Sequence, residues 1–260
     1  MIKRAALVAT TLACMFAAGS LAGAAPAGGS DLPRGSEVVE LDPADFTTEI
    51  DNPYWPMAPG TRWTYREVDE EGVELQVVVV VTTETKKIAN GVTARVVRDT
   101  VSKDGEIVED TFDWYAQDKD GNVWYLGEDT AEFENGEIST REGSFEAGVD
   151  GAQAGIILPA DPEPGMKYRQ EYYEGEAEDN GEVLSTKEMA EVPAGQYKKV
   201  LLTRDTITIE PDVLEYKLYA RGVGPVLVFG VSGGSGREEL LSVDQAPPDA
   251  GTGPLGTPNP

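Results

Sequence analysis

Residues 90–136 read NGVTARVVRDTVSKDGEIVEDTFDWYAQDKDGNVWYLGEDTAEFENG. Four dipeptides, Asn90-Gly91, Asp104-Gly105, Asp120-Gly121 and Asn135-Gly136, divide this stretch into runs rich in β-branched and aromatic residues. Each pairs a residue that tolerates positive φ with a glycine that prefers it, which is the requirement of a two-residue type I′ hairpin turn. The segment therefore predicts consecutive antiparallel strands joined by tight turns. Outward from it, alternating or β-branched-rich runs predict strands over 61–69, 73–86, 92–102, 106–117, 122–133, 166–173, 182–191, 197–208, 213–220, 226–231 and 237–243. The fold class is mainly β: a single strongly curved antiparallel sheet, a meander-rich half-barrel with at most one short helix. The one break in rhythm is 144–158, carrying Phe145, Val149, Ile156 and Ile157, which reads as a short helix or a loop folded over the sheet.

The N-terminus places Lys3 and Arg4 before an apolar run and then Ala22-Gly23-Ala24, the order of a secretory signal, with cleavage expected after Ala24. A rival reading makes Cys14 a lipidated residue, but no leucine stands three places before it. Residues 25–45 and 245–260, rich in Pro and Gly, are expected to be a flexible leader and a disordered tail around one β domain at 46–244.

The chain holds 47 Asp and Glu against 21 Lys and Arg, no His and one Cys, for a net charge of −26. Removing residues 1–24 takes away Lys3, Arg4 and Cys14, so the charge becomes −28 and the mature chain has neither thiol nor imidazole. That excludes disulfides, thiolate or imidazole metal sites, haem ligation and any nucleophile dependent on a histidine base. Such acidity disfavours nucleic acid and anionic membranes and suits hard cations, cationic partners or simple solubility. No segment has the uninterrupted apolar length of a membrane-spanning helix.

If both central Asp-Gly pairs are two-residue loops, residues summing to 209 pair across Asp104-Gly105 and those summing to 241 across Asp120-Gly121. One face then carries Val97, Asp99, Val101, Asp110, Phe112, Trp114 and Tyr125 and reads as the core face; the other carries Arg98, Thr111, Asp113, Tyr115 and Trp124. This register sets Asp99 opposite Asp110, a like-charge pair that needs a cation or a shared proton, with Arg95 opposite Trp114 as the available partner. Phe112, Trp114, Tyr125, Asp99, Asp110 and Arg95 are accordingly the candidate ligand-binding residues on a concave sheet.

Three further blocks carry a resemblance. They are Asn52-Pro53-Tyr54-Trp55-Pro56-Met57 with Pro59-Gly60-Thr61-Arg62-Trp63-Thr64-Tyr65, then Val192-Pro193-Ala194-Gly195-Gln196-Tyr197, then Tyr219-Ala220-Arg221-Gly222-Val223-Gly224-Pro225-Val226. The chain resembles a broad group of secreted bacterial proteins, mostly uncharacterised, that share Tyr-x-Pro-x-x-x-Gly-x-x-Trp-x-Tyr and a later Pro-Ala-Gly-x-Phe/Tyr. The resemblance implies a curved antiparallel half-barrel similar to periplasmic lipoprotein carriers. It implies no catalytic motif.

Asp118, Asp120 and Asn122 offer oxygen ligands at alternate positions around a glycine, as calcium loops do, although the strand that follows makes a hairpin turn the stronger reading. Two carboxylates such as Asp99 and Asp110 would also suit a glycoside hydrolase. The expectation is a monomeric, exported, non-catalytic protein without a cofactor. It would hold a small apolar or lipid-like ligand, with a calcium-dependent interaction module and a carboxylate glycosidase as alternatives.

Overall fold

The computed structural model describes residues 32–69, 71–233 and 236–259. The signal segment, Cys14 and the expected cleavage after Ala24 lie outside them. Among the described residues sixteen strands form one antiparallel sheet. In chain order they are β1 (Phe46–Thr47), β2 (Thr61–Val68), β3 (Glu74–Lys87), β4 (Thr93–Lys103), β5 (Glu106–Asp118), β6 (Val123–Glu134), β7 (Glu137–Thr140) and β8 (Phe145–Glu146). Then follow β9 (Gln153–Leu158), β10 (Lys167–Arg169), β11 (Glu171–Tyr172), β12 (Asp179–Val192), β13 (Gly195–Ile207), β14 (Leu214–Ala220), β15 (Gly224–Ser232) and β16 (Arg237–Gln245). Among the described residues there is no α-helix, only a single 3-10 turn at Pro43–Asp45. The stretch 144–158 is β8, a turn and β9 rather than a helix or a loop.

The sheet runs β10-β12-β13-β14-β15-β16-β2-β3-β4-β5-β6-β9-β11. Its two ends are one continuous piece of chain. Lys167–Arg169 pairs with β12, and two residues later Glu171–Tyr172 pairs with β9. The strand expected over 166–173 thus changes partner at Gln170 and nearly closes the sheet into a barrel, a tighter curl than a half-barrel. Buried Arg169 fastens this seam: its guanidinium donates to Ala154 O on β9 and to the carbonyls of Gly35 and Glu37, 2.6 and 2.7 Å away.

All four Asn-Gly and Asp-Gly pairs lie in hairpin turns, but they make two kinds. Asp104 and Asn135 have φ of 52° and 54° and their glycines are also positive, as type I′ demands. At Asn90-Gly91 and Asp120-Gly121 only the glycine is positive; Asp118 N–H donates to Asn122 O and Gly121 N–H to Asp118 O, so the loop has three residues. Near that turn Gln117 therefore faces Val123, one step from the expected register. On the other side, a bulge at Val108 converts the expected pairing after Ser102↔Ile107 into Val101↔Glu109 and Asp99↔Thr111. A one-residue slip moves every side chain to the opposite face. Asp99 consequently does not oppose Asp110.

The inner face that results carries Val97, Asp99, Val101, Thr111, Asp113, Tyr115 and Tyr125. Arg98, Asp110, Phe112 and Trp114 look the other way. Those outer residues are nonetheless buried or half-buried: the segment expected as a disordered tail lies over Arg98 and Asp110, Arg98 lies over Phe112 and Lys86 over Trp114. Arg98 and Asp110, 1% and 0% exposed, form a bidentate ion pair. The tail completes it: Arg98 donates to the carbonyls of Pro254 and Thr257, and Gly256 N–H donates to Asp110. Asn259 adds a contact to Thr100, which itself donates to Asp110 at 2.8 Å. The described part of the leader is likewise held, through Arg169 and through Leu32, Val39 and Leu41 against the core.

The segment from Phe46 to Met57 closes one end of the barrel. Phe46 and Thr47 pair with Asp118 and Gln117. Asn52 then anchors the chain: its side chain donates to Gly121 O and Pro159 O and accepts from Tyr54 N–H. Pro53 O accepts from Gly222 N–H, and Arg221 lies over the Tyr54 ring.

Candidate functional site

The lumen retains a cavity of about 350 Å³. Its closed end is aromatic. Trp55, brought in by the end-capping segment, sits 5.6 Å from Tyr115 on β5 and 5.8 Å from Tyr219 on β14, and so spans the lumen. Tyr115 stacks on Tyr125 at 5.0 Å, and Phe145 meets Tyr125 edge-on. These spacings are ordinary for aromatic pairs and fix the rings as a rigid floor. At the other end the exposed residues Glu142 and Arg237 lie on the rim.

Above the floor the lining changes character. Among the described residues that line it, thirteen are Asp or Glu, against one Lys and one Arg. On the β4–β6 wall Asp113 and Glu128 face each other directly across the strands. The Tyr125 hydroxyl lies 2.7 Å from Asp113 Oδ1 and 2.6 Å from Glu128 Oε2. A phenol has one proton, so it donates to one of these oxygens at a time. Asp99 stands diagonally across from Asp113. Its Oδ1 is shut off from solvent and has no hydrogen-bond partner. Burial, followed by the charges of Asp113, Glu238 and Glu109, holds the Asp99 carboxyl well above the usual range.

The facing wall is built differently. Lys217 on β14 lies 3.0 Å from Asp205 and 3.8 Å from Glu215, and Gln170 at the seam donates to Asp205. Toward the rim, Glu238 is pushed up to about 7, chiefly by burial and further by Glu67 and Glu215, against the opposing effect of Lys217. Arg237 is paired with Glu239.

Of the six expected binding residues, the structure brings two, Asp99 and Tyr125, to the lumen. Phe112 lies under the Arg98 guanidinium and Trp114 under the Lys86 ammonium, both away from the cavity. Asp110 is consumed by Arg98. Arg95 faces Tyr115, not Trp114, and fills the bulge of β3 by donating to the carbonyls of Thr82, Thr83 and Glu84, with a further contact to Thr48. With Asp99 and Asp110 on opposite faces, that pair cannot flank one glycosidic bond.

Asp118, Asp120 and Asn122 form a turn. Asp118 accepts from the N–H groups of Asp120 and Asn122, from the Asn122 amide and from Trp124 Nε1, while Asn122 Oδ1 accepts from Ala160 N–H. Among the described residues no three carboxylates converge closely enough to hold a metal ion.

Trp55, Asp113, Tyr115, Glu128 and Tyr219 were missed as site residues. A signal for two of them was present, since Asp113 and Glu128 sum to 241 and pair as that register requires. They stand on the face opposite the one read as the core face.

No protein-family model matches the chain, and no curated protein matches it. Solved structures give distant likenesses. A protein from Bacteroides fragilis, described as exported and YmcC-like in fold, aligns at a TM-score of 0.47 with 15% identity, over 74% of this chain and 99% of that one. One from Parabacteroides distasonis, described as a lipoprotein, aligns at 0.39 with 11% identity, over 74% and 98%. A β-barrel-like protein of a domain of unknown function from Brucella abortus aligns at 0.34 with 14% identity, over 72% and 98%.

Proposed function

We propose that this is an exported, non-catalytic binding protein that holds a small molecule in the barrel lumen. The observation that carries the reading is the space itself: a cavity of about 350 Å³ remains inside a sheet that otherwise packs its apolar residues closely. A recess of this size, closed at one end by a rigid aromatic floor and bearing a few placed polar groups, has the form of a ligand pocket. The signal-like N-terminus and the resemblance to secreted half-barrel proteins support export. An apolar or lipid-like portion of the ligand would rest on Trp55, Tyr115, Tyr125 and Tyr219. Among the described residues no helix is long and apolar enough to cross a membrane.

The test is native mass spectrometry of the protein as purified, beside a variant whose lumen is filled by Thr130→Trp. Binding in the lumen is expected to give a small-molecule adduct on the native chain that is lost from the folded variant. An adduct equally present on both would place the ligand elsewhere and defeat the proposal.

A further inference from the structure

The barrel wall is built twice. Pro59-Gly60-Thr61-Arg62-Trp63 leads into β2 as Pro164-Gly165-Met166-Lys167-Tyr168 leads into β10. Arg98-Asp99-Thr100 lies on β4 as Arg204-Asp205-Thr206 lies on β13, and Tyr115-Ala116 lies on β5 as Tyr219-Ala220 ends β14. Strand pairing follows the same correspondence. One register row runs Trp63, Val79, Asp99, Thr111, and the other runs Tyr168, Gly181, Asp205, Glu215. Around the sheet, β2 to β6 and then β9 make one unit; β10, β12 to β15 and then β16 make the other, and β16 returns to β2. Two such units in a nearly closed ring are related by an approximate two-fold axis along the lumen.

Tyr115 and Tyr219, four residues beyond Thr111 and Glu215 on their strands, are therefore counterparts on opposite walls. What lies between them is not duplicated. Trp55 meets the two rings at 5.6 and 5.8 Å, tilted by 52° and 51°, so the indole stands midway between the walls. Counted back from the matching Pro-Gly pairs, its counterpart in the second unit is Ala160. A position on the axis has room for only one such ring. Pro53, Ala58 and Pro59 beside it in sequence are exposed, which puts the indole in the last layer between lumen and solvent.

We propose that Trp55 is the stop that sets how long a guest the lumen accepts, the guest being a molecule with an apolar chain whose end meets the indole. This rests on the lumen being the binding site. Val77 and Val79 on β3 and Val97 and Val101 on β4 line the cavity and give such a chain its track. The stop is separable from the scaffold. Tyr54 and Met57 are buried in the end cap while Trp55 is only half-buried, and the segment is anchored apart from the indole, by the Asn52 side chain and by Pro53 O. Loss of the indole would lengthen the space along the axis, because Tyr115 and Tyr219 belong to the walls and stay in place.

The experiment uses the full chain at pH 7.5 and follows displacement of the fluorescent dye N-phenyl-1-naphthylamine by the 1-alkanols from butanol to dodecanol. Affinity for the native protein is expected to rise with chain length and to fall beyond a cut-off. Trp55→Ala, or Trp55→Leu if the alanine variant does not fold, is expected to move that cut-off up by two or more carbons. Trp114→Leu, which removes the same ring from the outer side of the wall, is expected to leave it in place. A native protein without a cut-off, a cut-off unmoved in a folded Trp55 variant, or one moved as far by Trp114→Leu would overturn the stop and leave lumen binding standing. Failure of both Trp55 variants to fold would make the indole scaffold and overturn the proposal as well. Absence of any displacement would overturn the apolar-chain guest, and together with no lumen-dependent adduct in the mass spectra it would remove the binding reading too.

Discussion

Asp99 and Asp110 show how one side chain's fate depends on its neighbour's register. Set opposite each other they would repel; in the structure they are on different faces and do different work. Asp110 is neutralised by Arg98 in a fully buried, fully hydrogen-bonded pair, whereas Asp99 is left as a lumen acceptor. Breaking a buried pair strands the other charge, so Asp110→Asn is expected to cost about 3–5 kcal/mol in urea unfolding, and Arg98→Met/Asp110→Leu much less. The lumen acids behave in the opposite sense. Glu238 titrates near 4.5 as a free side chain and near 7 in the fold, so between those values the native state holds the extra proton. Its contribution to stability is present below about 4.5 and lost as pH rises through 7. Asp99, also raised, acts with the same sign. The melting temperature is therefore expected to fall from pH 5 to pH 8, and Glu238→Gln to flatten that slope; a melting temperature that climbs over this range would contradict the assignment.

At the level of strands and turns, the seam is the most demanding place. A Cβ on Gly155 would lie 2.3 Å from Gln170 O, so β9 and the closing segment approach at a distance only glycine permits. Gly155→Ala is expected to cost about 1–3 kcal/mol and to speed hydrogen exchange at Arg169–Tyr172 before the rest of the sheet; uniform exchange would mean the seam is not a separate unit. Most strands and every central hairpin were legible from β-branched runs and turn dipeptides. Their register was not, because Asp-Gly serves both a two-residue I′ turn and a three-residue loop, and nothing local to Val108 announces a bulge. The partner switch at Gln170 was also hidden, since a strand that pairs left and then right has the same alternation as one that pairs with a single neighbour. The outer apolar face misled for a different reason: Phe112 and Trp114 look like core because they are covered, but their cover is the long side chains of Arg98 and Lys86 from neighbouring strands.

Over the whole molecule, stability draws on chain outside the barrel. Residues 246–259 cross the outside of β3–β6, burying Ala250 and capping the Arg98–Asp110 pair. Deleting everything after Gln245 is expected to lower the urea midpoint, because Arg98 and Asp110 lose their hydrogen bonds to Pro254, Gly256 and Thr257. The deletion should leave ligand affinity unchanged, since the tail is on the far side of the wall from the lumen. Equal denaturation midpoints for the full and shortened chains would refute the tail's role.

The pairing of β16 with β2 brings Arg237–Gln245 beside Thr61–Val68, so the first long strand finds its outer neighbour only after nearly all of the chain is available. Until then β2 presents an unsatisfied row of amides and carbonyls, the kind of template on which chains join one another. The barrel's slowest closure is thus not the visible seam at Gln170, whose partners are close in sequence, but a silent junction between the chain's two halves. An escort that shields that exposed rim during synthesis or passage across a membrane would raise yield without ever touching the finished pocket.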